Sequence, residues 1–459
     1  MFKKVLVANR GEIAVRIIRA LREMGIKSVA VYSTADRLAL HTVLADEAVC
    51  IGPPRVADSY NHKIQLLSAA LTTGAEAIHP GFGFLSENSQ FAKMCEECDI
   101  TFIGPSSEAI HRMGNKAVAR ETMIKAGVPV IPGSEGFIDD CESGLELAKS
   151  LGFPVMLKAA AGGGGKGMRE IHSEEQFKQL FDQVKLEAGA VFSDDQVYLE
   201  KIITHARHIE VQILGDSFGN VIHLGERECS LQRQHQKVLE EAPSSFISSD
   251  VREQLGKAAV DAAIATHYVN AGTVEFLVDQ NQNFYFMEMN TRLQVEHPVT
   301  EMVTGVDIVN EQIRIASGLP LTYSQEDIKI TGHAIECRIN AEDPTHDFRP
   351  ASGKITDLIL PSGSLGLRVE SALFAGSGIP PFYDSMVAKV ITYAKTRDIA
   401  FRKMNRALME FMIDGIPTNI DFQLALIADK GVLSGAFDTH YLEEHFLSNF
   451  LKAHKQSVE

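Results

Sequence analysis

Residues 284–298 read F-Y-F-M-E-M-N-T-R-L-Q-V-E-H-P, and polar and apolar side chains alternate through most of this segment. Successive side chains of an extended chain point to opposite faces, so the pattern predicts a strand with one apolar and one polar face. The apolar face must pack on a core, which commits this part of the chain to a sheet. The polar face carries, in order, Glu288, Asn290, Arg292, Gln294 and Glu296.

This polar row has the chemistry of a reaction site. Oxygen atoms such as those of Glu288 and Asn290 are the ligands that Mg²⁺ takes. The Arg292 guanidinium is a rigid fork that fits a planar oxyanion, and the Glu296 carboxylate can move a proton. The simpler interpretation is the solvated face of an ordinary amphipathic strand. We favour a functional site because the row lacks the usual surface residues and a phosphate-binding pattern lies upstream.

Bulk composition limits the class of protein. At 459 residues the chain is too long for one compact core, so two or three domains are expected. The formal net charge of −16 argues against a nucleic-acid or anionic-membrane partner, because phosphate groups repel a broadly acidic surface. No run approaches the ~18 apolar residues of a membrane span, and no secretory signal opens the chain. We therefore expect a cytoplasmic protein that binds neither nucleic acid nor membrane.

The order of strand-like and helix-like segments predicts an α/β (α+β) chain in three parts. Residues 1–115 alternate short apolar runs with helical patterns, which is typical of a βαβ domain. Residues 116–330 contain most of the motifs, and an inserted subdomain is expected at about 130–204. Residues 331–459 form a third, mixed part with strands followed by helices.

A glycine-rich run follows a predicted strand. Five of the six residues 162–167 are glycine and the sixth is Lys166, so backbone N–H groups can wrap phosphate oxygens beside a positive charge. Residues 168–171 look extended, whereas the glycines of a dinucleotide-binding fold open a helix. Lys166 precedes a glycine, unlike the lysine of a P-loop. A surface hairpin is the simpler alternative, but we expect a mobile glycine lid over a triphosphate.

Further residues extend this phosphate-binding pattern. Lys116 and Lys158 are cations on either side of the start of the inserted subdomain, although a lone lysine is normally just a solvated charge. Residues 232–237 form a polar block without turn residues. The block offers hydrogen-bond donors and a cation for a reacting phosphate, while a solvated surface loop remains the alternative.

A second carboxylate is predicted beside Glu288. Glu275 lies on a predicted strand over 272–278, and a short hairpin over 279–283 joins it to the strand that bears Glu288. Cross-strand neighbours lie close together, so Glu275, Glu288 and Asn290 would form an oxygen-rich site. Such a site suits Mg²⁺ bound to ATP phosphates.

Taken together, these motifs resemble the biotin carboxylase family, the ATP-grasp component of biotin-dependent carboxylases. The resemblance spans nearly the whole chain and rests on L-V-A-N-R-G-E-I-A (6–14), H-P-G-F-G-F-L-S-E-N (79–88), K-A-A-A-G-G-G-G-K-G-M-R (158–169), R-H-I-E-V-Q (207–212) and E-M-N-T-R-L-Q-V-E-H-P-V-T-E (288–301). It implies an ATP-grasp fold with an N-terminal Rossmann-like domain and a C-terminal mixed domain.

The resemblance also implies roles for individual residues. ATP would be held by Lys116, Lys158, Gly164, Gly165, Lys166, Gly167, Met168, Glu200, Lys201, His208, Gln232, His235, Lys237, Glu275, Leu277 and Glu288. Mg²⁺ or Mn²⁺ would bind Glu275, Glu288 and Asn290. Bicarbonate and biotin would contact Arg292, Gln294, Val295, Arg338, Phe82 and Gly83. The catalytic residues would be Glu296, Arg338, Arg292 and Lys237. Phe82 departs from the family pattern, in which tyrosine is common.

The implied reaction is the ATP-dependent carboxylation of biotin. Bicarbonate would lose a proton to Glu296 and attack ATP to give carboxyphosphate, which breaks down to CO₂ and phosphate. Biotin, stabilised as an enolate by Arg338, would then capture the CO₂. The chain has no Met-Lys-Met motif for attaching biotin and no carboxyltransferase segment. We therefore expect a homodimeric subunit that works with a biotin carboxyl carrier protein and carboxyltransferase subunits, with acetyl-CoA carboxylase of fatty-acid synthesis as the expected complex.

Three alternatives compete with this prediction. Another ATP-grasp ligase, such as a carbamoyl-phosphate or purine-pathway enzyme, shares the nucleotide and metal groups but does not need residues 292–296 as a bicarbonate site that leads to biotin. An NAD-dependent dehydrogenase would fit the first βαβ unit and Asp36, but the turn at residues 9–12 lacks the glycine fingerprint. A non-catalytic nucleotide-binding regulator would show no turnover.

Overall fold

The computed structural model describes residues 1–134, 136–159, 167–192 and 195–458, except for the side chains of residues 191, 192 and 454–458. Helices and strands alternate through the chain, and three sheets of three or more strands organise the described part. No helix in these ranges combines the length and the apolar character that crossing a membrane requires.

The N-terminal region is built on a parallel five-stranded sheet in the order β3-β2-β1-β4-β5. The first helix buries Ile13, Ile17 and Leu21, which recur every four residues and so share one helix face. Each such side chain contributes about 1.5–3 kcal/mol when fully buried. The elements are β1 (Lys4–Val7), α1 (Gly11–Glu23), β2 (Lys27–Ser33), α2 (Leu40–Leu44), β3 (Glu47–Gly52), α3 (Lys63–Thr73), β4 (Ala77–His79), α4 (Ser89–Glu97), β5 (Thr101–Phe102) and α5 (Ser107–Gly114). The predicted Rossmann-like arrangement is confirmed.

A small three-stranded antiparallel sheet follows, in the order β7-β6-β8. It has an apolar core of its own, in which Phe177 and Phe181 stack with their ring centroids 5.6 Å apart. This is the region of the predicted inserted subdomain. Its elements, with the helix that precedes it, are α6 (Lys116–Lys125), α7 (Cys141–Leu151), β6 (Val155–Ala159), β7 (Met168–Ile171), α8 (Glu174–Phe192) and β8 (Val197–Lys201).

The largest sheet has eight antiparallel strands in the order β13-β12-β9-β10-β11-β14-β21-β19. It continues across residue 330, because β11 pairs with β14. The sheet and the helices beside it comprise β9 (Arg207–Gly215), β10 (Val221–Arg233), β11 (Gln236–Ala242), α9 (Ser249–Ala265), β12 (Asn270–Val278), β13 (Phe284–Asn290), α10 (His297–Thr304), α11 (Ile308–Ala316) and β14 (His333–Asn340).

The C-terminal region adds the last strands of this sheet, three short two-stranded antiparallel sheets and a group of helices. Its core packs one face of β14 and β21 against α12 and α13. The elements are β15 (Glu342–Asp343), β16 (Arg349–Pro350), β17 (Gly353–Lys354), β18 (Leu358–Ile359), β19 (Leu367–Ser371), β20 (Gly378–Ile379), β21 (Met386–Ala394), α12 (Arg397–Glu410), β22 (Met412–Ile413), α13 (Ile420–Ile427), α14 (Lys430–Ser434) and α15 (Leu447–Val458). Short helical turns of other types cover Thr34–Asp36, Val56–Asp58, Gln325–Asp327, Pro344–His346 and Leu442–Phe446.

The alternating segment differs from its prediction in one respect. The strand ends at Asn290, and six residues separate it from the start of α10. The Thr291 N–H donates to a carboxylate oxygen of Glu87 at 2.9 Å and so leaves the sheet. Helix α10 then carries Pro298 in its first turn, where a missing N–H costs nothing. The prediction of an extended chain through Glu296 is therefore wrong beyond Asn290.

Candidate active site

Four charged residues form a row across four neighbouring strands of the large sheet. Glu288 on β13 is the register partner of Glu275 on β12, Glu275 is the partner of Glu210 on β9, and Glu210 is the partner of Arg227 on β10. Like charges placed directly opposite each other destabilise a sheet. A row of three carboxylates is therefore a cost in stability, which is typical of a functional site.

Lys237 partly neutralises this row. Its Nζ lies 2.5 Å from a Glu210 oxygen, 3.1 Å from a Glu275 oxygen and 2.6 Å from a Glu296 oxygen. Burial lowers the pKa of the Lys237 ammonium, but the three carboxylates outweigh burial and raise that pKa well above its ordinary value. The lysine is therefore a fixed positive charge at the centre of the site.

Glu296 is fully buried between two cations. Besides Lys237, the Nη2 of Arg338 lies 2.9 Å from its second carboxylate oxygen. Burial raises the pKa of Glu296, but Lys237 and Arg338 outweigh burial and hold that pKa well below its ordinary value. Arg338 in turn donates through Nε to Glu240 at 2.6 Å. Glu296 is thus ionised at neutral pH and able to accept a proton.

Arg227, which the sequence analysis did not single out, holds the acidic row in place. Its side chain is fully buried and donates to Glu210 at 2.5 Å and to Gln212 at 2.8 Å. It also donates to the hydroxyls of Thr300 at 3.0 Å and Thr273 at 3.1 Å. These contacts span three strands and α10. No local sequence pattern marks Arg227, because it stands between two glutamates in a polar run and its partners come from other elements.

Glu210 and Glu240 were also missed, and both are fully buried beside catalytic candidates. Burial is the largest influence on each and raises both pKa values, that of Glu240 to about 7. Arg227 opposes this effect at Glu210, and Arg338 opposes it at Glu240. The strand pairing fixes the positions of Glu210 and Glu240. These positions cannot be read from the sequence, because the paired strands are separated along the chain.

Arg292 and Gln294 connect the alternating segment to the acidic row. The Nε of Arg292 donates to Glu87 at 2.9 Å, and its Nη1 donates to the side-chain oxygen of Gln294 at 3.0 Å. The side-chain N–H of Gln294 donates a hydrogen bond to Glu275 at 3.1 Å. The partner Glu87 lies in the H-P-G-F-G-F-L-S-E-N motif, so the N-terminal region contributes directly to the site.

The three predicted metal ligands lie on adjacent strands. Asn290 donates through its side chain to Glu275 at 2.8 Å, and Lys116 Nζ lies 3.7 Å from Glu288. Burial and the neighbouring Glu275 raise the pKa of Glu288. An ionised Glu288 is therefore under-neutralised, and hard oxygen ligands of this kind suit a divalent cation.

His208 and Gln232 form a hydrogen-bonded pair beside the acidic row. Their side chains meet at 2.8 Å between Gln232 Nε2 and His208 Nδ1, and His208 Nε2 lies 3.1 Å from Glu275. Burial lowers the pKa of His208, but Glu275 outweighs burial and raises it. His208 of the implied ATP set thus contacts an implied metal ligand, and Gln232 contacts His208.

The small sheet carries further members of the implied ATP set. Lys158 and Glu200 form a close ion pair between β6 and β8. The N–H groups of Lys201 and Ile202 donate to the carbonyl oxygens of Pro132 at 2.7 Å and Pro154 at 3.3 Å. Both N–H groups are therefore already paired within the protein.

The polar block at residues 232–237 is a hairpin rather than a loop. Gln234 and His235 have φ angles of 49° and 61°, and Arg233 pairs with Gln236 on either side of them. Two successive residues with positive φ are characteristic of the tight turns that join antiparallel strands. The expectation of a block without turn residues is wrong. The turn places Lys237 near the start of β11, where it pairs with Gln232, one residue pair away from the turn.

The other predicted site residues are more dispersed. Phe82 is half-buried, with its carbonyl oxygen accepting from Asn9 at 2.7 Å, and Gly83 adopts a φ of 68° in the same loop. Met168 opens β7 and Leu277 is the β12 partner of His208. Gly167 is described at a φ of 73°, whereas Gly164, Gly165 and Lys166 lie outside the described residues, as does most of the predicted lid.

Family models match the chain in three consecutive segments. Residues 1–110 match the biotin carboxylase N-terminal domain, residues 115–324 match the ATP-binding domain of the carbamoyl-phosphate synthase L chain, and residues 336–444 match the biotin carboxylase C-terminal domain. Together these matches cover the three regions of the fold.

Individual relatives agree over almost the whole length. Biotin carboxylase 1 of Bacillus subtilis is 56 % identical over 97 % of this chain and 99 % of its own. A pyruvate carboxylase subunit from Methanothermobacter thermautotrophicus is 51 % identical over 97 % of this chain and 90 % of its own. The biotin carboxylase domain dimer of Hydrogenobacter thermophilus 2-oxoglutarate carboxylase, solved with MgADP, ADP and bicarbonate, is 51 % identical, with a TM-score of 0.90 over 97 % of this chain and 98 % of that chain.

The fold, the site and these relatives agree, and the chain belongs to the biotin carboxylase family of ATP-dependent ligases with the ATP-grasp fold.

Proposed function

We propose that this enzyme uses ATP and bicarbonate to carboxylate biotin attached to a separate carrier protein. The observation that carries the proposal is the position of Glu296. Its buried carboxylate lies between Lys237 and Arg338 and directly beside the acidic row of β9, β12 and β13. A proton acceptor, two cations and a set of metal ligands thus meet at one end of the large sheet.

In the first step, Arg292, Gln294 and the backbone of Val295 would bind bicarbonate. The Arg292 fork presents two N–H groups to a planar oxyanion. Glu296 would then remove the bicarbonate proton. The cations that lower the pKa of Glu296 would also interact with the bound anion and would then stabilise the Glu296 carboxylate less. The pKa of Glu296 would rise, which makes the carboxylate a stronger base.

The next step is phosphoryl transfer. An oxygen of the deprotonated bicarbonate would attack the γ-phosphorus of ATP, and the bond to the bridging oxygen of ADP would break. Lys237 is positioned to stabilise charge on the transferring group, because it is a permanent cation within 2.6 Å of Glu296. Lys116, Lys158, His208 and Gln232 would hold the nucleotide, together with His235, Glu200, Lys201, Leu277 and the glycine run.

Mg²⁺ would bind Glu275, Glu288 and Asn290. The fit rests on two opposed carboxylates on paired strands and on the raised pKa of Glu288, which a divalent cation would reverse. When bound, the ion neutralises phosphate charge during transfer. Glu275 accepts hydrogen bonds from Asn290 and Lys237 at one carboxylate oxygen, and an ion bound to that oxygen would replace them.

In the second half of the reaction, carboxyphosphate would break into CO₂ and phosphate next to biotin. The phosphate would accept the ureido N–H proton of biotin, and the ureido nitrogen would then form a bond to the carbon of CO₂. Arg338 would stabilise the biotin enolate, since its guanidinium reaches Glu296 from β14. The loop with Phe82 and Gly83 would contact the biotin or the bicarbonate. Phe82 offers a ring but no hydroxyl at this position.

The proposed assembly is a cytoplasmic homodimer that serves a biotin carboxyl carrier protein and carboxyltransferase subunits. Apolar side chains are exposed on the two-stranded sheet of β18 and β22, where Ile359 is 53 % and its partner Met412 is 37 % exposed, and on the nearby Met409 at 71 %. Such a surface suits contact with a second copy. We propose acetyl-CoA carboxylase as the complex, and the pyruvate and 2-oxoglutarate carboxylases among the relatives define the alternatives to test.

The proposal is tested by ADP release in degassed buffer, with and without bicarbonate and a biotinylated carrier. We expect ADP release that depends on bicarbonate and rises with the carrier, and radiolabel from bicarbonate on the carrier. Bicarbonate-independent ATP cleavage, or label on ammonia or an amine instead of biotin, would favour another ATP-grasp ligase. Adding carboxyltransferase subunits with acetyl-CoA, pyruvate or 2-oxoglutarate identifies the final acceptor.

A further inference from the structure

Lys389 is a second buried lysine, and it lies outside the site described above. It occupies the middle of β21, and its side chain has no exposed surface. Its Nζ lies 2.9 Å from Glu370 and 3.3 Å from Glu12. A buried ammonium group requires partners of this kind, because removing it from water is costly.

The third partner of Lys389 is a neutral one. Its Nζ donates a hydrogen bond to the backbone oxygen of Val295 at 2.8 Å. This oxygen belongs to the peptide unit that joins Val295 to Glu296. The peptide unit is planar, so fixing its oxygen also fixes the direction in which the chain enters Glu296.

A histidine holds the preceding peptide unit. His297 Nδ1 lies 2.8 Å from the backbone oxygen of Gln294. Burial and the nearby Lys389 hold the pKa of His297 well below its ordinary value, so the ring is neutral and Nδ1 carries its proton toward this oxygen. The same peptide unit contains the Val295 N–H, which therefore points away from His297. Two successive carbonyl oxygens, those of Gln294 and Val295, are thus held by the side chains of His297 and Lys389.

We infer that Lys389 is a positioning residue for bicarbonate, which holds the Val295–Glu296 peptide so that the Val295 backbone and the Glu296 carboxylate face the same anion. The inference rests on the proposed function, because it assigns bicarbonate to this segment. Lys389 Nζ also lies 5.9 Å from the centre of the Phe82 ring, so the same cation lies beside a second proposed substrate contact.

The inference distinguishes substrate positioning from general stabilisation. A displacement of about 1 Å in a reacting group can cost on the order of 100-fold in rate. Loss of the Val295 anchor should therefore act on bicarbonate, whereas the ATP contacts on the small sheet and on Lys116 should not respond.

The test measures ADP release by the Lys389→Met variant with bicarbonate and ATP varied separately. Methionine keeps an unbranched apolar chain but has no N–H donor. We expect the apparent KM for bicarbonate to rise at least about tenfold, with the KM for ATP within about twofold of the wild type. An unchanged KM for bicarbonate, or an equal rise in both constants, would overturn the inference.

Arg368→Met is the matched control. Arg368 is another cation of the same cluster, which contacts Glu301 at 2.7 Å and pairs with Glu370 but makes no described contact with Val295. It should lower the unfolding temperature and leave both KM values within about twofold. If it raises the KM for bicarbonate as much as Lys389→Met does, the cluster acts through stability alone and the inference is wrong.

A second variant covers a failure of Lys389→Met to fold. The double variant Lys389→Met with Glu370→Gln removes the cation together with one of its carboxylates, and so leaves less uncompensated charge in the interior. It lacks the same donor to Val295, and we expect the same rise in the KM for bicarbonate. Wild-type ADP release without any bicarbonate dependence would refute the proposed function itself, which separates the two failures.

Discussion

The molecule contains two buried lysines with similar partners and different surroundings. Lys237 lies among Glu210, Glu275 and Glu296, and 12 % of its side chain is exposed. Lys389 lies among Glu12, Glu370 and the Val295 carbonyl, with no exposure. The first cluster opens to the place where substrates are proposed to bind, and the second is sealed.

The origin of the partners explains this difference. The carboxylates around Lys237 come from strands of one sheet face and from Glu296, so substrates or a metal ion can replace them one at a time. Those around Lys389 come from α1 and β19, two regions far apart in sequence. A sealed ion cluster contributes little net stability but fixes a single arrangement of the parts it joins. We propose that Lys237 acts on the substrates and that Lys389 keeps the substrate-binding segment aligned.

Among the tests of this difference between the two clusters, we expect Arg338→Met in the open cluster to have the largest effect on activity. We expect carboxybiotin formation to fall by about 100- to 1,000-fold, because the variant removes a charge-stabilising group from the reacting centre. The KM for ATP should stay within about threefold, since Arg338 contacts Glu240 and Glu296 rather than the nucleotide residues. Labelled bicarbonate transfer and ADP release at varied ATP measure the two quantities.

Arg397→Met is the control for that prediction. Glu240 and Glu241 are neighbours on β11 and so point to opposite faces. Arg397 binds Glu241 through Nε at 2.6 Å and through Nη2 at 2.7 Å, on the face away from the site. Its loss should reduce stability and leave carboxylation near the wild-type rate. Equal inactivation of both variants would show that the two faces are not functionally distinct.

A smaller effect is expected from Glu288→Gln, which keeps the shape of the side chain and removes its charge. We expect the Mg²⁺ concentration for half-maximal ADP release to rise about ten- to a hundredfold, because a metal ligand is weakened. Titrating ADP release with Mg²⁺ at saturating ATP measures the change. An unaltered Mg²⁺ requirement would place the metal elsewhere in the acidic row.

The smallest effect on turnover is expected in the sealed cluster. Here the quantity to measure is the pH dependence of the stability of the fold. Burial raises the pKa of Glu12 from 4.5 to about 7, although Lys389 opposes that rise. The folded state therefore holds this proton more tightly than the unfolded state, and ionising Glu12 costs stability as the pH rises from about 4.5 to about 7. The full shift corresponds to about 3 kcal/mol, and it already includes the opposing effect of Lys389.

We therefore expect Glu12→Gln to be more stable than the wild type by about 3 kcal/mol at pH 8 and equal to it near pH 4.5. Chemical unfolding at several pH values measures the difference. A variant that is less stable at pH 8 and converges with the wild type at low pH would mean that the Lys389 pair outweighs the burial of Glu12.

The sequence predicts much of this arrangement because its patterns are local. Alternation and turn residues place Glu275 opposite Glu288, and the structure has the two as register partners despite a bulge after Glu275. The motifs also bring Arg292, Gln294, Glu296 and Lys237 into one neighbourhood. The assignment of the fold to the biotin carboxylase family is confirmed over the whole chain.

The residues that the sequence did not reveal depend on long-range pairing. Arg227, Glu210 and Glu240 look like ordinary charges until the sheet aligns them with Arg338 and Lys237. Lys389 stands in a strand of apolar residues, and only the packing of α1 and β19 gives it partners. The end of the extended segment at Asn290 was equally hidden, because it depends on Glu87 from a distant region.

The central claim is that Glu296 removes the bicarbonate proton within the open cluster. The most direct measurement is bicarbonate-dependent ADP release by Glu296→Gln, with circular dichroism to show that the variant is folded. We predict a fall of about 100- to 10,000-fold, the usual contribution of a positioned general base, with ATP still bound. A folded Glu296→Gln variant that carboxylates biotin at the wild-type rate would contradict the account.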